Sequence, residues 1–123
     1  MNYIGKFNDT LIELVDDLIV VFPNDNEFRM YKMAIKGAMI ADDTIVHRVF
    51  HEQVCNVYGD KILARDEAFF MNSDYDNMKQ EFSQADSLIK KLKQCWSSLT
   101  EDQRSVIWKY LRLLLLLDNK IQN

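Results

Sequence analysis

Apolar residues recur every three or four positions through most of this chain, which is the spacing of a helix face and not of a strand. Phe7, Leu11, Leu14, Val15, Leu18, Ile19 and Phe22 make the first stripe. Pro23 ends it, because its ring disfavours helical geometry at Phe22. The 123 residues include only three Gly and one Pro. A sandwich or barrel needs many turns and uses more of both. The expected fold is therefore all-α: one domain over residues 1–123, a bundle of five to six helices.

Local signals place the helices. Thr10 with Glu13 could form a capping box for the first helix, and Asn8 or Asp9 could cap it equally well. Asn24 or Asp25 caps a second helix that runs to about Ala41. Its polar arc is only Arg29, Lys32 and Lys36, so it is expected to be central and mostly buried. "ADDT" caps a third helix, lined by Val46, Phe50, Val54 and Val57, with Gly59 as its stop and a short helix beyond. "NSDYDN" reads as a surface loop. Met78, Phe82, Ala85, Ile89, Leu92, Trp96 and Leu99 then alternate four- and three-residue steps, the spacing of a coiled-coil or bundle helix. Thr100 with Gln103 makes a capping box for the last helix, which runs to about Asn119.

That helix carries five consecutive leucines, Leu113 to Leu117. Val106 to Leu117 is twelve residues interrupted by Lys109 and Arg112, whereas a membrane span needs about twenty apolar residues. On a helical wheel, Val106, Ile107, Tyr110, Leu111, Leu113, Leu114, Leu117 and Ile121 make a core stripe. Trp108 and Leu115 widen it to an arc of about 220° at 100° per residue. Leu116 falls on the far side. Trp108, Leu115 and Leu116 are therefore the expected contacts for a protein partner or a second copy.

The net charge of −4 argues mildly against bulk nucleic-acid binding. The charge is uneven. Residues 1–86 hold 8 basic and 16 acidic side chains, a balance of −8; residues 87–123 hold 7 and 3, a balance of +4. Two basic strips, Arg29, Lys32 and Lys36 and then Lys90, Lys91 and Lys93, offer an alternative nucleic-acid role, although solvated helix faces carry similar charge. Asp9, Glu13, Asp16 and Asp17 interrupt any apolar signal segment, and two cysteines make no disulfide framework. The expectation is a protein that is neither secreted nor membrane-bound, with free thiols.

Few residues suggest chemistry. His47, His51 and Cys55 recur every four positions, and Cys95 could complete a Cys2His2 metal set. Against this, His47 and Cys55 stand about 12 Å apart along a straight α-helix. Asn72, Asp74 and Asp76 resemble the start of a calcium loop, but Asn77 and Ser83 replace its Gly and its bidentate Glu. Glu13, Asp16, Asp17 and Asp43 could hold Mg²⁺ in the manner of helical nucleotide pyrophosphatases, though acidic pairs at helix starts have a simpler electrostatic cause. No phosphate loop or nucleophile elbow is present, so no catalytic residue and no cofactor is assigned.

Thr100, Arg104, Ile107, Trp108, Lys109, Tyr110, Leu111 and Leu113 match a recurring "T…R..IWKYL.L" ending. Phe22–Pro23, and Phe69–Phe70 after Asp66 and Glu67, fit the same pattern. On these residues the chain resembles uncharacterised small helical proteins of large nucleocytoplasmic DNA viruses. That resemblance implies a viral protein acting in the virion or in the host cytoplasm or nucleus. It carries no catalytic residues with it. The combined expectation is a non-enzymatic interaction or structural component.

Overall fold

The computed structural model describes residues 2–65, 68 and 84–122, and the side chains of these except for residues 57 and 84–89. Helix α1 spans Tyr3–Val21, α2 Asn26–Ala41 and α3 Ile45–Phe50. A π-turn at His51–Cys55 leads directly into α4, Asn56–Leu63. Helix α5 spans Gln84–Cys95 and ends in a 3₁₀ turn, Trp96–Ser98; α6 spans Glu101–Gln122. The described residues contain no strand, so the chain is all-α, with about six helices.

The caps show why the helices start where they do. Asn2 caps α1 by accepting from the Gly5 amide at 2.9 Å, so α1 begins well before the expected Thr10 box. Thr10 instead donates back to the Lys6 carbonyl from inside the helix. Asp25 caps α2 by accepting from the Glu27 amide at 3.0 Å. The Thr100–Gln103 box forms reciprocally: Gln103 Oε1 accepts from the Thr100 amide at 2.9 Å, and Thr100 Oγ1 from the Gln103 amide at 3.1 Å. Gly59 is not a stop. The helix passes through it, and the turn comes at Arg65, whose φ of 49° is left-handed.

Helix α1 is the central element. Phe7, Leu11, Leu14, Val15 and Leu18 are all buried, and α1 packs most extensively against α6 and then α2. Helix α2 is peripheral, contrary to its sequence pattern. Only Phe28 and Ile35 are buried there, while Met33 is 75% and Ile40 88% exposed. Its apolar arc is wide, but α1 covers only one side of it. Gly37 faces open space instead of a close neighbouring helix.

Within α6, Leu111, Leu114 and Leu117 are buried and Leu115 partly so. Val106 and Leu113, expected in the core stripe, are exposed. The heptad helix expected to run unbroken to Leu99 turns at Trp96. Trp96 lies fully buried with its ring edge-to-face on Trp108, centroids 5.3 Å apart. Arg104 fixes this turn by donating from Nε to the Trp96 carbonyl at 3.2 Å and covering the Trp96 ring.

Leu14→Ala should cost about 2–5 kcal/mol, because it opens a cavity on the central helix. Met33→Ala, on the exposed side of α2, should stay within about 0.5 kcal/mol. Urea unfolding of the two variants measures the contrast.

Candidate functional site

The run Ile45–Leu63 carries two sets of residues at a constant spacing of four: Val46, Phe50 and Val54, and His47, His51 and Cys55. An α-helix has 3.6 residues per turn, so a step of four drifts by about 40°. Two such steps would carry Val54 and Cys55 out of line. The π-turn closes on the wider i→i+5 bond, seen here from the Asn56 amide to the His51 carbonyl, and turns less per residue. Both sets are thereby kept in register. Phe50 and Val54 are both buried, and the two histidines and Cys55 face the same helix, α6.

What they face is Asp118, which sits in the middle of the apolar stripe of α6, one turn beyond Leu114. Its carboxylate is buried, the residue being 7% exposed. His47 Nε2 lies 2.7 Å from Asp118 Oδ1, and His51 Nδ1 lies 2.9 Å from Oδ1 and 3.1 Å from Oδ2. A carboxylate only accepts, so those ring nitrogens carry the protons. His47 is 2% exposed and packs edge-on against Phe7, centroids 5.0 Å apart, while His51 reaches partly into solvent. The Cys55 thiol also contacts Asp118; burial first, and then that carboxylate, push it well above the usual thiol range. One ligand atom each from His51, Cys55 and Asp118 lie within 4.8 Å of one another.

Cys95 does not join this set. It lies on α5, where its Sγ donates to the Leu92 carbonyl, and burial raises the thiol to about 11. Asp118 takes its place, and sequence reasoning missed it. The signal was available: 118 follows 111 and 114 at helical spacing, so a carboxylate occupies a core position.

The acidic residues weighed for Mg²⁺ bring no three ligand atoms together among the described residues. Asp16 pairs with Lys32 at 2.6 Å and Asp17 accepts from the Tyr110 hydroxyl at 2.7 Å. The Asp43 carbonyl accepts from the buried Asn8 side chain. Among the described residues, the His51–Cys55–Asp118 group is where three such ligand atoms meet. The calcium-like segment 72–83, and Asp66, Glu67, Phe69 and Phe70, lie outside the described residues.

The basic strips are partly engaged within the chain. Lys32 is held by Asp16, and Lys91 reaches Asp25 at 2.7 Å and Glu27 at 3.4 Å. Arg29 donates to the Pro23 carbonyl. Lys93 is buried, Lys90 is half-buried, and Lys36 is exposed. Of the expected partner contacts, Trp108 is 3% exposed and taken up by Trp96, which removes it from the outer surface. Leu115 is half-buried against the core, near Gly59, and Leu116 is exposed. No helix among the described residues is long and apolar enough to cross a membrane. No protein-family model, curated protein or solved structure matches this chain.

Asp118→Ala leaves the buried His47 donor and the half-buried His51 donor without their acceptor and should lower unfolding stability by about 3 kcal/mol. Asp118→Asn keeps one acceptor oxygen and should lose less. Denaturant melts read both, and a loss below about 1 kcal/mol for the alanine variant would contradict the pairing.

Proposed function

We propose that the chain is a non-enzymatic protein-interaction component, acting in the infected cell or virion as its viral resemblance implies, and that it receives a partner helix between α1 and α6. The observation that carries this reading is an open apolar groove at that seam. Leu18, Val20, Val106 and Ile107 line it, and Asp17 and Asp102 stand on its rim. Val20 and Val106 are large exposed apolar side chains, and Leu113 extends the same side of α6. The groove holds about 260 Å³, just below the range of small-molecule pockets and sufficient for a few side chains.

Its chemistry suggests the occupant. Tyr110 lies in the groove, and its hydrogen bond to Asp17 and then burial, with smaller contributions from the Glu13 and Asp16 charges, raise the phenol to about 12. An amphipathic helix with apolar anchors at helical spacing and Lys or Arg along its edges would match an apolar floor and an acidic rim. The nucleic-acid alternative has less support, because Lys32 and Lys91 are neutralised by neighbouring carboxylates. The main histidine–aspartate bond is shut inside the bundle, which suits a structural role better than turnover.

The test is capture from infected cells with a photo-cross-linking side chain at Val106, compared with the double variant Val20→Asp, Val106→Asp. Both positions are exposed, so folding should be retained, as circular dichroism will check. The expected result is a cross-link to a basic helical segment of a partner, with capture lost in the double variant and kept in Leu116→Asp. Capture unaffected by the groove charges, or lost only in Leu116→Asp, would contradict the assignment.

A further inference from the structure

We propose that His51, Cys55 and Asp118 form a site for a borderline-soft divalent cation of the zinc or cobalt type, with His47 positioning the carboxylate. This goes beyond the interaction reading and does not depend on it. The groove lies toward the start of α6, and Asp118 is eight residues beyond Tyr110, about 12 Å along the axis.

The donor set is one nitrogen, one sulfur and one oxygen. Thiolate and imidazole favour zinc-like ions, whereas calcium and magnesium take oxygen ligands. The three donor atoms lie within 4.8 Å of one another. Tetrahedral zinc, with bonds of 2.0–2.3 Å, separates its ligands by about 3.3–3.8 Å. Side-chain rotations of about an ångström therefore close the set without moving the helices. Loading requires the Cys55 thiol to lose its proton and the His51 proton to leave Nδ1. A 2+ ion with the Asp118 carboxylate and the Cys55 thiolate is then formally neutral, which suits a buried place.

His47 supplies what a ligand carboxylate needs from outside the ligand set. Its Nε2 donates to Oδ1 at 2.7 Å, and its ring is held by Phe7. That leaves Oδ2 for the ion, with the carboxylate plane fixed. The side chain of His51 is 28% exposed, so solvent reaches the site and a water can take the fourth position. The π-turn is the second structural pointer. It keeps Cys55 in line with His51, and such turns inside α-helices occur often at functional sites. A bound ion would tie α6 to the π-turn and stabilise the folded state by mass action.

The test is a Co²⁺ titration of the chelator-stripped full-length chain. The expected result is one equivalent bound, with a near-ultraviolet thiolate-to-cobalt charge-transfer band and intense visible bands of a four-coordinate ion. The charge-transfer band should vanish in Cys55→Ala and persist in Cys95→Ser. His47→Gln should keep the band but weaken cobalt affinity at least about tenfold. Zinc should raise the thermal midpoint of the natural chain and not that of Cys55→Ala. If Cys55→Ala fails to fold without metal, His51→Gln at its part-exposed position gives the same readouts. Absence of the band, a band that follows Cys95, or an equal zinc-induced midpoint rise in Cys55→Ala would overturn the proposal.

Discussion

A carboxylate inside an apolar interface is expensive unless every lone pair it turns inward is satisfied, and Asp118 imposes that requirement on this bundle. Only one rotation of α6 brings it to His47 and His51. A shift of one residue would swing it by about 100° and leave both histidine donors and the carboxylate unpaired. The same rotation decides the rest of the helix. It turns Leu111, Leu114 and Leu117 inward, leaves Leu113 and Leu116 outside, and sets Val106 and Tyr110 over the seam with α1. The exposed leucines are thus a consequence of where the carboxylate must sit.

The all-α class, the end of α2 at Ala41 and the Thr100–Gln103 box were legible in the sequence, because each is decided within a few residues. The centre of the bundle was not. A broad apolar arc says how much of a helix can be covered, not how much is, and α2 lies at the edge with Met33 and Ile40 outside. Trp108 looked surplus on the wheel because the wheel holds no neighbours. The 3₁₀ turn after α5 brings Trp96 across to cover it. For the histidine cluster, four-residue spacing picked out His47, His51 and Cys55 but not Asp118, the carboxylate on α6 that they meet. The steady spacing at both 46–50–54 and 47–51–55 was itself the sign of a wider turn.

Most residues of the Thr100–Leu113 ending have structural tasks here. Thr100 caps α6, Arg104 and Trp108 secure Trp96, Ile107 and Leu111 fill the core, and Tyr110 holds Asp17. A segment of this kind specifies how α6 docks on α1. The outward-facing positions between those residues, Val106 and Leu113, take no part in that core. The apolar groove and the polar cluster sit at different levels of α6, with Val106 and Tyr110 at the one and Asp118 at the other.

The most direct measurement is long-range nitrogen NMR of the two histidine rings in chelator-treated protein. If Asp118 holds both rings as described, the proton is on Nε2 of His47 and on Nδ1 of His51, and both patterns collapse toward a free ring in Asp118→Ala. An unprotonated Nδ1 on His51, or a spectrum indifferent to Asp118→Ala, would contradict the arrangement on which the rotation of α6 depends.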